Sequence, residues 1–213
     1  MKEATRIIAI RHGQTAWNAE TRMQGQLDTA LDSLGRWQAQ QLAQALAHEP
    51  IDAIVASDLS RAMQTAAPLA AVRGLRVLPE RGLRERCFGV FEGFTYADIA
   101  RHWPDDNARW RARDFAFAPA HGESLSGFYE RCTTVAERLA DHHAGRTIVW
   151  VTHGGVLDCL YRAATRMALD APRTWTLDNA SINRLLHGDQ GLMLVGWGDI
   201  QHLDAPTIAT REA

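Results

Sequence analysis

The sequence is short of several features that would each point to a class of protein. It has only three cysteines in 213 residues, scattered and without a CxxC pair, which argues against a disulfide framework or a cysteine zinc site. No apolar run approaches the roughly 20 residues of a membrane span, and no signal-peptide pattern follows Met1. Lys and Arg total 23 against 25 Asp and Glu, so there is no basic excess of the kind that nucleic-acid or membrane-surface binders show. These absences predict a soluble, cytoplasmic protein that binds neither nucleic acid nor membrane.

The chain also lacks repeats, low-complexity tracts and Pro- or Ser-rich linkers, and 46% of its residues are hydrophobic. We therefore expect residues 1–213 to form a single domain with a substantial core. Between about residues 86 and 123 the hydrophobic periodicity is weak, and Trp, Phe, Pro and Arg are frequent. This stretch is typical of a long excursion with short helices.

Elsewhere, strand-like and helix-like segments alternate. Strand-like runs occur at 6–10, 51–56, 75–78 and 147–151, and two C-terminal runs around Gly188-Asp189-Gln190-Gly191 predict a hairpin. Between the strands, apolar residues recur at helical spacing at Leu34, Trp37, Leu42, Ala45 and Leu46, and most clearly from Leu125 to Leu139. Ser57 and Asp58 are placed to cap the helix after the second strand. The pattern predicts a three-layer α/β/α sandwich with a mostly parallel central sheet, which binds ligands at the carboxyl edge of its strands.

Several strands end in residues that could carry chemistry. The first gives Arg11-His12-Gly13, and the fourth gives His153-Gly154-Gly155. Arg61 stands one helical turn after Ser57, at the end of the second strand, and Glu85 follows the third. A parallel sheet would gather these side chains on one rim.

Each of these residues also has an ordinary explanation. A histidine after a strand is often a turn residue, Arg61 could be a solvated helix residue, and Glu85 could belong to a surface ion pair with Arg84 or Arg86. The tryptophans are typical of core packing. It is the recurrence of His and Arg at three strand ends that favours a common site.

Such a site suits a phosphoryl group. Guanidinium groups bind phosphate oxygens in bidentate fashion, and a neutral imidazole kept neutral by nearby positive charge can attack phosphorus. Phosphoryl transfer also needs a proton for the leaving oxygen. The set formed by His12, the cations Arg11 and Arg61 with His153, and Glu85 is sufficient for these tasks.

Two other classes of protein remain as alternatives. Two histidines and one carboxylate could form a catalytic zinc site, although two arginines would repel the dication and no HExxH spacing occurs. A non-catalytic module that senses a phosphorylated ligand could use the same pocket, but it would not be expected to keep both His12 and Glu85. We therefore predict no metal and no cofactor.

The segment Arg11-His12-Gly13-Gln14-Thr15, followed by Trp17-Asn18, closely resembles the signature of the histidine phosphatase superfamily in its phosphoglycerate-mutase-like branch. The resemblance continues in order from Ile7 to about Asn183, through the segments Gln24–Asp28, Ser57–Ala62, Gln64–Ala66, Leu83–Glu85, Gly122–Ser124 and Val151–Gly155. It implies a metal-independent phosphomonoesterase that acts on a small phosphorylated metabolite, and a possible homodimer.

The resemblance also implies a role for each site residue. His12 would be the nucleophile that forms a phosphohistidine, and Glu85 would be the general acid. Binding of the phosphoryl group would fall to Arg11, Arg61, His153 and Gly154, assisted by Asn18, Gln24 and Gly25. The 86–123 segment would be a lid-like insertion over the pocket.

The family contains phosphatases and also mutases that depend on 2,3-bisphosphoglycerate, so a phosphoglycerate mutase is the alternative function. The mutase pattern after the acid resembles Glu-Arg-His-Tyr-Gly with a Lys shortly beyond. Here the chain has Phe88 in place of the Tyr and Tyr96 about where the Lys would be. Gln24-Gly25 is also more similar to the phosphatases than to the Thr-Gly of the mutases, whereas Trp110-Arg111 is similar to the mutase segment. The balance favours a phosphatase.

Overall fold

A six-stranded sheet forms the centre of the computed structural model, which describes residues 3–204. The strands are β1 (Thr5–Arg11), β2 (Ala53–Ala56), β3 (Val77–Pro79), β4 (Thr147–Thr152), β5 (Ile182–Gly188) and β6 (Gly191–Asp199), in the order β3-β2-β4-β1-β5-β6. The first four are mutually parallel, and β5 and β6 form an antiparallel hairpin that extends the sheet beyond β1. The mostly parallel sheet and the C-terminal hairpin confirm the prediction.

Helices cover both faces of the sheet, which gives the predicted three-layer α/β/α sandwich. The helices are α1 (Ala16–Ala19), α2 (Ser33–Ala45), α3 (Ser60–Arg73), α4 (Tyr96–His102), α5 (Pro104–Arg111), α6 (Leu125–His142) and α7 (Gly154–Thr165). One face packs on α6 and α7 through residues such as Ile7 and Trp150, and the other packs on α2 and α3 through Ile8 and Val149. Successive strand residues thus enter opposite cores, as the two-residue period of a strand requires.

The helical periodicity holds better for α6 than for α2. Along α6 the predicted apolar stripe is buried at Leu125, Phe128, Cys132, Val135, Ala136 and Leu139. In α2 the prediction holds only for Leu42 and for Leu46 at the C-cap, which are buried. Ala45 is exposed, and Leu34 and Trp37 are about 42% and 41% exposed. The first turn of α2 instead places its Gly35 against the backbone of Gln14, where a Cβ would lie 2.0 Å from the carbonyl oxygen.

The middle segment forms short helices, as expected. A 3-10 helix (Gly89–Phe91), α4 and α5 enclose a small core of their own around Met23, Phe91, Ile99 and Phe117. Within the described range 3–204, no helix is both long and apolar enough to cross a membrane.

One local prediction was wrong. The residue at the N-cap of α3 is Leu59, and no side chain caps the helix through a hydrogen bond. Ser57 and Asp58 make tertiary contacts instead. The Ser57 hydroxyl hydrogen-bonds His153 at 2.8 Å, and Asp58 forms a bidentate ion pair with Arg84, 2.6 Å from Nε.

Candidate active site

The ends of β1 and β4 place two histidines side by side. The two strands are parallel neighbours, and Arg11 is in register with Thr152, so the residue that follows each strand emerges at the same edge. The rings of His12 and His153 lie with their centroids 5.1 Å apart and their planes inclined by 59°. Both side chains are buried, at 3% and 0% exposure. The parallel pairing therefore creates the juxtaposition that the two His-Gly motifs predict.

The hydrogen bond of His12 decides which ring nitrogen is free. Nδ1 lies 2.7 Å from the carbonyl oxygen of Gly13, and because a carbonyl only accepts, Nδ1 carries the proton. The neutral ring then has its lone pair on Nε2. Burial, followed by the positive charges of Arg61 and Arg11, holds the pKa of His12 well below its usual value. His12 is thus a neutral imidazole with an unprotonated nitrogen, which is the state that a nucleophile needs.

His153 occupies a deeper position. Its Nε2 is 2.8 Å from the Ser57 hydroxyl, and its Nδ1 is buried without a hydrogen-bond partner in the described part of the chain. Burial and then the charge of Arg61 hold its pKa well below the usual value. Unlike His12, His153 is not among the residues that line the cavity described below, although its ring lies beside that of His12.

Two arginines flank His12. Arg61 is 1% exposed and donates to the carbonyl oxygens of Gly25 at 2.7 Å and Leu27 at 3.0 Å, while Arg11 donates to the carbonyl of Leu177. The Nε atoms of both are buried without a partner among the described residues. Burial lowers the pKa of Arg61 to about 10, so both guanidiniums stay charged at neutral pH. These fixed cations suit a dianionic group in contact with His12.

Glu85 also lines the cavity and is held by backbone hydrogen bonds rather than by a cation. Its Oε2 accepts a hydrogen bond from Gly155 N–H at 2.9 Å, and its Oε1 accepts one from Arg86 N–H at 2.8 Å. A Cβ on Gly155 would lie 2.1 Å from Glu85 Oε1, so this position needs glycine for the carboxyl to come so close. Glu85 is therefore a positioned carboxyl group, not part of a surface ion pair.

Two amides complete the inner part of the site. The side-chain oxygen of Asn18 accepts from the backbone N–H of Thr15 at 3.1 Å, and that of Gln24 accepts from the Thr29 hydroxyl at 2.6 Å. The Thr15 hydroxyl lies 3.1 Å from the first oxygen and 3.0 Å from the second, and its one proton is donated to one of them. With both oxygens engaged, each NH₂ group is left for the cavity that Asn18 and Gln24 line. Gly25 follows at φ +54°, and its carbonyl is the acceptor for Arg61.

These residues line one cavity of about 520 Å³, which extends outward beyond the catalytic groups. Of the residues predicted for the site, all but His153 are on its wall, including Gly154 at the first turn of α7. The outer wall holds residues that the sequence analysis did not assign to the site, among them Arg22, Arg113, Asp158, Arg173, Trp175 and Asp178. The sequence could have indicated Asp158, since it lies one helical turn after Gly155 on α7 and therefore near the same edge of the sheet. The 173–178 loop carries no motif that identifies it.

Comparisons with known proteins agree with this geometry. Residues 7–200 match the model of the histidine phosphatase superfamily, branch 1. The phosphoglycerate mutase-like protein 4 of Arabidopsis thaliana is 42% identical, over 93% of this chain and 86% of that protein. The metal-independent phosphoserine phosphatase of the same organism is 34% identical, over 95% and 85%. A mycobacterial glucosyl-3-phosphoglycerate phosphatase, solved with VO3, superposes with a TM-score of 0.80 at 36% identity, over 92% of this chain and 99% of that one.

The fold and the site thus define a phosphoryl-transfer enzyme of the phosphoglycerate-mutase-like kind. The chain belongs to the histidine phosphatase superfamily, and it is a phosphoric monoester hydrolase.

Proposed function

We propose that the protein hydrolyses small phosphorylated metabolites in two steps, through a phosphohistidine on His12. The observation that carries this proposal is the His12–Gly13 hydrogen bond, which leaves Nε2 unprotonated beside two buried guanidiniums. Relatives named for phosphoserine and for glucosyl-3-phosphoglycerate support a small metabolite as the substrate.

In the first step, His12 Nε2 forms a bond to phosphorus as the bond from phosphorus to the ester oxygen breaks. Glu85, in its protonated form, gives its proton to that oxygen, so the alcohol leaves neutral. Arg11 and Arg61 neutralise the phosphoryl oxygens, assisted by the NH₂ groups of Asn18 and Gln24.

In the second step, water attacks the phosphohistidine. The Glu85 carboxylate accepts a proton from this water, the bond between nitrogen and phosphorus breaks, and inorganic phosphate leaves. His12 returns to its neutral form and Glu85 to its acid form, so the cycle balances without a metal ion. His153 supports the site from its place beside His12, and the N-terminal end of α7 at Gly154 adds its positive dipole to the binding of the phosphoryl group.

Rapid quenching during turnover of a ³²P-labelled phosphomonoester tests this route. We expect an acid-labile phosphoprotein at a stoichiometry approaching one, inhibition by vanadate, and full activity after prolonged chelator treatment. A chelator-sensitive activity restored by zinc would favour the zinc hydrolase instead. Binding of phosphomonoesters without any phosphate release would favour a non-catalytic module.

The mutase alternative has its own test. A phosphatase should release phosphate from several small phosphomonoesters without stimulation by 2,3-bisphosphoglycerate. Interconversion of 3- and 2-phosphoglycerate that depends on this compound and exceeds phosphate release would identify a mutase.

We also propose that the described residues, 3–204, form one domain. The 86–123 segment would act as a lid that helps to select the substrate, since Arg86, Phe88, Tyr96, Trp110 and Arg113 reach the cavity. A homodimer and a cytoplasmic location stay predictions, which gel filtration with light scattering and cell fractionation would check.

A further inference from the structure

The outer wall of the cavity contains a buried carboxylate of which only one oxygen accepts hydrogen bonds from the described residues. Asp158 lies on α7, is 8% exposed and lines the cavity. Its Oδ2 accepts from Arg162 Nε at 2.9 Å and from Arg113 Nη2 at 3.2 Å. Its Oδ1 is buried and has no hydrogen-bond partner within residues 3–204. A buried acceptor without a partner costs about 1–3 kcal/mol, so this oxygen needs a donor from elsewhere.

A donor group lies nearby in the same condition. The indole N–H of Trp175 is buried without a partner in the described range, and Trp175 also lines the cavity. Arg162 links the two residues, since it donates to Asp158 and its guanidinium carbon is 4.8 Å from the centre of the Trp175 ring system. Two residues of the cavity lining thus each carry a buried polar atom without a hydrogen-bond partner among the described residues, one an acceptor and the other a donor.

The surroundings hold this wall in place. Arg162 is 0% exposed and also donates to the carbonyl oxygen of Ala171 at 2.9 Å, and the Trp175 ring stacks on Tyr161 with centroids 4.0 Å apart. Because Oδ2 is fixed by two guanidiniums, the Asp158 carboxylate has no freedom to turn Oδ1 toward either of them. The side chains that carry the two polar atoms are therefore held in place before a ligand binds.

The helix geometry relates this wall to the reacting centre. Asp158 stands three residues after Gly155, whose N–H holds Glu85 at 2.9 Å, so its backbone lies about 4.5 Å further along the helix axis. A substrate whose ester oxygen faces Glu85 would bring an atom a few bonds away to Asp158.

We propose that Asp158 is a specificity-determining residue that accepts a hydrogen bond from a substrate hydroxyl two to four bonds from the ester oxygen. The preferred substrates are accordingly phosphate esters of polyhydroxylated compounds. A hydroxyl both donates and accepts, so it matches Asp158 Oδ1 together with Trp175 N–H. An ammonium group cannot accept a hydrogen bond from the Trp175 N–H. It would also be repelled by the two guanidinium groups that already bind the carboxylate. This inference rests on the proposed phosphatase activity.

Matched substrates of equal carbon number test the proposal. For the wild-type protein we expect kcat/KM for glycerol 3-phosphate to exceed that for n-propyl phosphate by about tenfold, the effect of leaving one buried polar pair unsatisfied. O-phosphoethanolamine should show no comparable advantage over ethyl phosphate. Equal rates for glycerol 3-phosphate and n-propyl phosphate would overturn the proposal, and so would a larger advantage for the amine.

Asp158→Asn then identifies the residue responsible. The Asn oxygen would be drawn to the two guanidiniums, so its NH₂ group would replace the acceptor at Oδ1. We expect the tenfold preference to fall to near one, mainly through KM for glycerol 3-phosphate, while kcat/KM for p-nitrophenyl phosphate stays within about threefold. A loss that is equal on every substrate would mean that Asp158 only supports Arg162, and would overturn the proposal.

One control separates recognition from other effects of the change. Asp178→Asn removes another carboxylate of the cavity wall. It should keep the tenfold preference, and loss of that preference in this variant would contradict the assignment to Asp158. Should no substrate be turned over by wild-type protein, the proposed function itself fails. Rapid turnover without preference refutes only the role of Asp158.

Discussion

The carboxyl ends of β1 and β4 carry nearly the same local sequence, yet their histidines have different surroundings. After β1, His12 donates a hydrogen bond from Nδ1–H to the carbonyl oxygen of Gly13. Its ring lines the cavity, and Nε2 has no hydrogen. After β4, His153 is hydrogen-bonded to Ser57 through Nε2, and its ring lies beside that of His12. The segment after β4 also contributes a backbone group to the site, because the N–H of Gly155 donates a hydrogen bond to the Glu85 carboxyl group. A shared motif therefore fixes where two histidines lie, and their partners decide what each one does.

The largest expected effect is that of His12→Ala. Uncatalysed phosphomonoester hydrolysis is so slow that loss of the attacking nitrogen should bring turnover below detection. The variant should stay folded by circular dichroism and form no phosphoprotein. The exposed histidine variant His48→Ala is the control and should keep wild-type activity. Appreciable turnover by His12→Ala would transfer the role of nucleophile to another residue, with His153 the first to examine.

Glu85→Gln tests acid catalysis by the carboxyl group that Gly155, after β4, holds in place. A general acid matters most for a poor leaving group, so kcat should fall about 10²–10⁴-fold on an alkyl phosphate but only a few-fold on p-nitrophenyl phosphate. Comparing kcat for the two substrates gives the ratio directly. Equal losses on both would make Glu85 a structural support.

His153→Gln should have a smaller effect than His12→Ala, because it removes a supporting group and not the nucleophile. We expect kcat to fall about 10²–10³-fold, while an acid-labile phosphoprotein still forms during turnover. Rapid-quench labelling distinguishes the two variants. If labelling disappears in His153→Gln and persists in His12→Ala, the assignment of the two strand ends must be reversed.

The buried histidines also predict a pH dependence of stability. Their pKa values are lowered in the folded protein, so between those values and about 6.5 the unfolded chain binds protons that the folded chain does not. The free energy of unfolding should therefore fall as the pH drops below about 6.5, by about 1.4 kcal/mol per pH unit for each such proton. Urea denaturation of His153→Gln at several pH values gives the dependence of the free energy of unfolding on pH. We expect this slope to be smaller than that of the wild-type protein by the contribution of one proton, about 1.4 kcal/mol per pH unit. An unchanged slope would show that His153 is protonated in the folded state.

The smallest effect is expected for Ser57→Ala, which removes the hydrogen bond to His153 Nε2. Loss of one such bond should reduce kcat about five- to tenfold without changing the fold. Ser57→Thr keeps the hydroxyl and should restore most of the rate, a rescue that a purely steric role would not predict. Steady-state kinetics of the two variants decides whether Ser57 orients His153.

The layers of the fold and most of the inner site follow from the pattern of residues along the chain. Alternating strand and helix periodicities require a parallel sheet with helices on both faces, and parallel strands end on one edge, so the order of motifs was enough to bring His12, Arg61 and Glu85 together. These features depend on local patterns and on a general rule of topology.

The interactions that join distant segments depend on the folded arrangement. Ser57 pairs with His153 rather than capping α3, a contact across 96 residues of chain. The hydrogen bond from Arg113 to Asp158 likewise joins the 86–123 segment to α7, 45 residues further along the chain. Such contacts leave no periodic trace, because a polar side chain chooses its partner only after the strands and helices have brought the partners within hydrogen-bonding distance.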